Sequence, residues 1–440
     1  MSRLGLSWSS LRHALFDSRV QGAAWLSVAS LISAAVAIIA VPMLTSLYSP
    51  DDFGALALMS AIAATIGTIV SGRYEMVCIV APHDEDGNAT ARQAASVASW
   101  LSAAAGALFT AISLVLLLGF SGLGKPAIVL LGIPLLIALT GVAAAQSLFD
   151  TRLGNYGLLA LLTVARSVGV VVGQIIWGHL NPSLAALIVP FLAFSALPLF
   201  RLAWLLRRYP KHNRMSTREF LRRYRTYPIY QVPAALANSL SSNITVFALG
   251  GAYGVASVGI YSIATRITTA PAAIVAGPVN TVYFREAARL STDKRKSLRM
   301  YGGVVLGLLI VGVVGFLALA LLAKPIVGLL GSDWVSATGM IYATLTMGLA
   351  LFITAPANSA LIAYGQQAQL LVWRVGLVIA PPILILLGPR LGWSDAVAVA
   401  AASLALLVGT GGYLWYGLTI VRRGNIQAIT PPSAKLDTSG

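Results

Sequence analysis

Apolar residues come in long runs separated by short polar connections, not at the every-second or every-third-or-fourth spacing of half-buried strands and helices. Runs of about 18 to 25 residues cross a ~30 Å hydrocarbon layer as helix. Twelve spans are expected, over 22–45, 54–81, 94–119, 126–148, 156–178, 184–206, 228–250, 256–278, 300–323, 337–363, 368–388 and 394–420. The first run, from Gly22 to Leu44, is too long for a signal-peptide core and reads as an uncleaved span. The pattern predicts an all-α polytopic membrane protein, and an even span count places both termini on one side.

Composition agrees. Of 440 residues, 58% are hydrophobic and 10% charged, whereas soluble chains carry roughly 25% charge. Cys78 is the single cysteine, and His13, His83, His179 and His212 are scattered, so neither a disulfide nor a metal constellation is expected. No GxxxxGK[ST] run occurs, which excludes a P-loop ATPase. No cofactor is expected.

Lys and Arg give the orientation. With the N-terminus inside, the inner side holds three basic residues before the first span, Arg92, Arg152, nine between Arg201 and Arg225, six between Arg285 and Arg299 and three in the tail, against only Lys125, Lys324 and Arg390 outside. Both termini are therefore expected in the cytoplasm. The net charge of +16 follows from this asymmetry, and nucleic acid need not be invoked. The longest connection, RRYPKHNRMSTREFLRRYR, reads as an anchor on anionic lipid, with a docking surface for cytoplasmic partners as the sharper reading. It divides the chain into a segment 1–21, an N-terminal lobe 22–206, the basic loop 207–227, a C-terminal lobe 228–420 and a tail 421–440 expected to be disordered.

The two halves show faint kinship. Tyr48 to Gly72 aligns without gaps on Tyr253 to Gly277 at a constant offset of 205, so that Gly54 meets Gly259 and IVSG meets IVAG. This is the parallel-repeat layout of secondary transporters, whose substrate lies between the halves. In SPDDFG, Ser49 is expected to cap the second span, with Pro50, Asp51 and Asp52 in its first turn.

Charged residues inside the spans are the candidates for function. Arg73 and Glu75, at the end of the second span, would stand about 200° apart on a continuous helix, so each needs a partner on another helix or water. Arg73 lies about 28 Å along the helix from Gly54, where it snorkels or lines a wet cavity. Arg166 and Arg266 fall near mid-membrane, and Arg374 is shallower and able to snorkel. These arginines outnumber the clearly intramembrane acid, Glu75, with Asp150 at a span end. Surplus guanidinium in a low-dielectric cavity suits a multivalent anion such as a diphosphate; the alternative is that carbonyls and water satisfy each arginine. The seventh span is the most polar, with Gln231, Asn238 and Ser242 on one stripe, as interhelical glue or as partners for sugar hydroxyls. Pro228 and Pro233 are expected to loosen its inner half. Gly303 and Gly307 form a GxxxG assigned to helix packing.

LTSLYSPDDFGALAL followed by GRYEMVCIVAP resembles the start of bacterial polysaccharide flippases of the multidrug/oligosaccharidyl-lipid/polysaccharide (MOP) exporter superfamily. YPIYQVPAALANSLSS, VGIYSIATRITTAPAAIVAGPVNTVYFREAA, LLGSDWVSATGMIYATL and APANSALIAYGQQ follow that family's order over nearly the whole chain. The resemblance implies about twelve helices in two six-helix lobes, with pseudo-two-fold symmetry around a central cationic cavity. It implies export of polyprenyl-diphosphate-linked oligosaccharide from the cytoplasmic to the outer leaflet of the inner membrane, with pathway glycosyltransferases or a polymerase as candidate partners. Arg73 and Glu75 occupy its Arg-Tyr-Glu position, and Arg266 its matching eighth-span segment. Arg166 and Arg374 are placed in the cavity by depth alone. Glu75 either pairs with another helix or takes part in coupling to a cation, Na+ or H+. Two alternatives stand beside this reading. A drug or metabolite exporter of the same superfamily should show acids in its cavity if it moves cations. A membrane-embedded polysaccharide polymerase or ligase would need a catalytic constellation that the chain does not show, so no enzymatic activity is expected.

Overall fold

Each long apolar run folds as helix, the one open-ended structure that satisfies its own N–H and C=O groups in hydrocarbon. The computed structural model describes residues 18–82, 85–119, 125–209, 215–276, 279–280, 283, 286–287 and 294–423. Its helices are α1 (Ser18–Ile39, continued by Val41–Thr45), α2 (Pro50–Val70), α3 (Glu85–Gly119), α4 (Lys125–Arg152), α5 (Tyr156–Leu180) and α6 (Leu184–Ser195, continued by Leu197–Arg208). A short loop helix, Thr217–Arg223, precedes α7 (Val232–Tyr253), α8 (Val255–Pro271), α9 (Lys294–Gly328), α10 (Ala337–Ala363), α11 (Gln367–Leu387) and α12 (Asp395–Arg423). Among the described residues, 11 helices are long and apolar enough to cross a membrane. The eighth expected span, 256–278, appears as α8 and a π turn over Ala272–Ala276, and its last two residues lie outside the described residues. The same holds for residues 1–17 and for the expected disordered tail beyond Arg423. The chain is an all-helical, multi-pass membrane protein.

Local chemistry sets the helix ends. The Asp52 backbone N–H donates to Ser49 Oγ at 3.3 Å, and the Ser49 N–H donates to the Asp52 carboxylate at 3.2 Å, a complete capping box at the start of α2. Ahead of α7, the stretch that carries Pro228 takes a π turn over Tyr227–Gln231 and runs into Val232–Tyr253, the local looseness expected of prolines there.

The chain forms two compact units: the first holds everything to Ser262 together with Gly328–Val335, the second Ile263–Val327 and the chain from Ser336 onward. The basic loop 207–227 does not part them. Within the first unit α7 packs along α2: Ser239 Oγ donates to the Ala64 carbonyl at 3.1 Å, and Asn243 Nδ2 to Thr65 Oγ1 at 3.4 Å. The start of α8 crosses the start of α2 at two glycines. A Cβ on Gly54 would collide with the Val255 carbonyl, and a Cβ on Gly259 with that of Pro50. Pro50 and Val255, like Gly54 and Gly259, are 205 residues apart, so the offset that relates the sequences also relates the two contacts. Beside this crossing, Trp334 is fully buried, stacks edge-on against Phe53 at 5.3 Å and donates from Nε1 to the Thr45 carbonyl at 3.1 Å.

In the second unit α10 and α11 pack on α12. Phe316 and Phe352 meet edge to face at 6.2 Å, and Tyr301, Tyr364 and Tyr413 are fully buried. The packing role expected of Gly303 and Gly307 is not met: a Cβ at either position would touch no described atom.

Candidate functional site

The second span does not run on as helix to residue 81. Helix α2 ends at Val70, and Gly72 (φ 62°) and Arg73 (φ 59°) then take left-handed conformations in succession. Glycine adopts that region freely, whereas arginine pays about 1–2 kcal/mol. Arg73 is the only non-glycine with positive φ among the described residues. The chain then tightens into a 3-10 turn, Tyr74–Met76, and a short helix, Val77–Val80. Tyr74, Val77 and Cys78 sink into a core with Ala91, Ala95, Phe149 and Phe220. Arg152 fastens this segment from α4. Its Nη1 donates to the carbonyls of Cys78 (3.1 Å) and Ala81 (2.7 Å), its Nη2 to Pro82, and its Nε to Asn88 Oδ1 (2.9 Å).

This turn overturns the expectation that Arg73 and Glu75 cannot pair. Arg73 Nη1 stands 3.4 Å from Glu75 Oε1, because the left-handed turn removes the helical angle that would have kept the two apart. The pair is lopsided, with the Arg73 side chain 23% exposed and that of Glu75 1%. Neither Glu75 oxygen accepts a hydrogen bond from a described residue, and Arg73 Nε is likewise unsatisfied.

Asp150, at the end of α4, shows the opposite condition. Arg201 grips it with Nε at 3.0 Å and Nη2 at 2.6 Å, while Gln146 and Asn155 donate from their amides at 2.6 and 2.8 Å. Arg201 also stacks over Trp204 at 4.5 Å. Sequence reasoning placed Arg201 among the loop cations and missed this pair. The signal was its position on α6, inside the apolar stretch ahead of Arg207 and Arg208.

Arg166 lies about 15 Å into α5, near mid-membrane. Its Nη2 donates to Ser195 Oγ at 3.0 Å, and its guanidinium lies over the Phe191 ring at 5.8 Å. It lines a cavity of about 270 Å³ in the first unit, together with Ser60, Ala64, Leu136, Leu139, Thr140, Ala143, Phe191 and Ser195. No acid stands in that lining. A guanidinium has five donors, and one is used among the described residues.

The other expected site residues are spread out. Arg266, in the second unit, is half-buried and is not without an interaction partner. Arg374 on α11 is exposed between exposed Val372 and Val375, surroundings that fit the snorkelling alternative. Gln231, at the end of the π turn, and Asn238 and Ser242 on α7 are all exposed, while Ser239 and Asn243 on the neighbouring stripe hold α2. The two readings of this span therefore belong to two of its faces: one is glue, the other an open polar stripe.

The fold has solved counterparts. The lipid II flippase MurJ in its inward closed conformation matches with a TM-score of 0.66 at 15% identity, over 90% of each chain. An inward-facing multidrug resistance MATE family transporter of the MOP superfamily matches with a TM-score of 0.61 at 14% identity, over 91% of this chain and 96% of that one. A MOP superfamily transporter from Pyrococcus furiosus matches at 0.51 and 15% identity, over 92% and 96%. At these identities the likeness shows the fold. No curated protein sequence matches the chain significantly. The family of polysaccharide biosynthesis proteins matches residues 43–338, well over half of the chain, so the chain belongs to that family.

Proposed function

We propose that the protein is a flippase that moves polyprenyl-diphosphate-linked oligosaccharide from the cytoplasmic to the outer leaflet of the bacterial inner membrane by alternating access, for cell-surface polysaccharide. The observation that carries this reading is Arg166. A mid-membrane guanidinium with one side-chain hydrogen bond among the described residues, on a cavity whose lining holds no carboxylate, suits phosphate oxygens. A cavity built for cationic drugs would carry acids instead. Within the first unit, Arg73 is assigned a supporting contact with the diphosphate. The exposed polar stripe Gln231, Asn238 and Ser242 is assigned to sugar hydroxyls. The reaction needs no bond making or breaking, so the protein is a transporter and not an enzyme. Glu75, buried without a hydrogen-bond donor, is assigned as the acid through which a coupling cation, Na+ or H+, acts on the turn at Arg73.

Alternating access requires helices to part, and the contact of Gly54 with Val255 and of Gly259 with Pro50 is where α2 and α8 would separate. The charge asymmetry of the connections supports cytoplasmic termini, and a topology reporter fused after Arg423 that reads outside would reverse the orientation. The central test is accumulation of lipid-linked glycan on the cytoplasmic face. Arg166→Ala should lower export at least tenfold, the cost of one lost charged hydrogen-bond partner of about 1.5–3 kcal/mol, and Arg166→Lys should keep part of it. Wild-type export in Arg166→Ala sinks the anion site.

A further inference from the structure

The loop helix Thr217–Arg223 lies against the start of α3, and between them runs a groove of about 420 Å³. Its α3 wall is a single stripe, Ala89, Arg92, Gln93, Ser96, Val97, Trp100 and Leu101, the spacing of one helix face. The stripe changes character along its length. Arg92 and Gln93 stand at one end, where Gln93 Nε2 donates across to the Met215 carbonyl at 3.1 Å, whereas Trp100 and Leu101 stand at the other.

Helix α3 is 35 residues long, about 52 Å, while the hydrocarbon layer needs about 20 residues. Counting 20 back from Gly119 puts Trp100 at the hydrocarbon edge, where indole rings settle. It is 74% exposed, although the ring is large and apolar. Arg92 lies about 12 Å further out, past the apolar edge and in the interfacial layer. Its Nε donates to the Leu206 carbonyl at 3.0 Å. That bond fixes the guanidinium plane, and the Nη1 and Nη2 nitrogens hold no hydrogen bond among the described residues. Arg218, Arg222 and Arg223 on the loop helix are exposed and add positive charge, against Glu219 and Asp86.

We propose that this groove holds one phospholipid with an anionic headgroup. The headgroup phosphate sits on Arg92, with the basic loop helix around it, and the upper acyl chain lies along Trp100, Val97 and Leu221. The combination of one cation at headgroup depth with an exposed apolar stripe at hydrocarbon depth matches a phospholipid and not a soluble anion. The inference is independent of what the protein translocates, because Arg92 and Trp100 belong to none of the residues assigned to that task. A lipid bridging α3 and the loop helix would also tie the loop to the membrane.

The test uses the full-length protein, delipidated in detergent and titrated with phosphatidylglycerol or phosphatidylcholine under native mass spectrometry. One phosphatidylglycerol should be retained in preference to phosphatidylcholine. Arg92→Ala should weaken that retention about fivefold, the worth of one cation near an anionic surface. Arg92→Lys, which keeps the charge but loses the Leu206 bond, should stay within about twofold of wild type, as should Lys324→Ala. Brominated phosphatidylglycerol should quench fluorescence in wild type, and Trp100→Phe should remove that increment. Equal retention of the two lipids, unchanged retention in Arg92→Ala, quenching undiminished in Trp100→Phe, or full displacement by millimolar inorganic phosphate would each overturn the site.

Discussion

Two buried carboxylates of the first unit should respond in opposite ways to loss of charge. Asp150 accepts four hydrogen bonds, two of them from Arg201, whose side chain is 14% exposed. Asp150→Asn would leave that guanidinium buried without a counter-ion, a change that costs about 3–5 kcal/mol. Glu75 differs in every respect. Its attraction to Arg73 at 3.4 Å is worth about 5 kcal/mol at an effective dielectric of about 20. Against this stand several kcal/mol for desolvating each ion and about 1–3 kcal/mol for an unsatisfied buried acceptor. The sum is near zero or unfavourable. Removing the charge leaves Arg73, at 23% exposed, able to reach water. Glu75→Gln should therefore be neutral to folding, within about 1 kcal/mol, or stabilising, while the coupling role proposed for Glu75 requires that it lower export. Thermal unfolding of both variants in detergent, followed by tryptophan fluorescence and set beside glycan export, separates the cases. If Glu75→Gln unfolds as early as Asp150→Asn, or exports like the wild type, the assignment of Glu75 fails.

Three further outcomes follow from the packing. Gly54→Ala forces a methyl onto the Val255 carbonyl and should cost about 1–3 kcal/mol, seen as a lower melting temperature; an unchanged value would remove the tight crossing. Gly303→Ala meets open space among the described residues and should stay within about 1 kcal/mol of wild type, which the same melts check. The Cys78 thiol, between two spans, is pushed up to about 12, chiefly by burial and next by the Glu75 charge. A raised thiol pKa means less thiolate, so maleimide should label native protein far more slowly than denatured protein between pH 7 and 9. Equal rates would show that the core around Cys78 is open.

What the sequence revealed and what it hid divide along one physical line. Features set by neighbours in the chain were legible: the Ser49–Asp52 cap, the looseness before α7 near Pro228, and the apolar length of each span. The 205-residue offset was legible too, and it proved to be spatial because glycines at equivalent positions allow two helices to cross backbone to backbone. The Arg73–Glu75 pair was hidden by one assumption, that helix continues to residue 81. Gly72, just beyond the last apolar turn, was the available sign of a left-handed end. Arg201, Arg152 and Arg92 were hidden for another reason. Counted as topology signals at span ends, they turn their side chains back onto Asp150, the Cys78 and Ala81 carbonyls and the Leu206 carbonyl. An arginine near a span end has the reach to do this, and no periodicity along the chain reports the direction it takes. Charge at the membrane edge therefore does two jobs here, fixing topology and closing hydrogen bonds. Arg166 in the first unit is too deep to count toward orientation, and among the described residues its hydrogen bond is to a single side chain, Ser195. A residue that costs insertion energy and repays little of it in structure is the one that function has to explain.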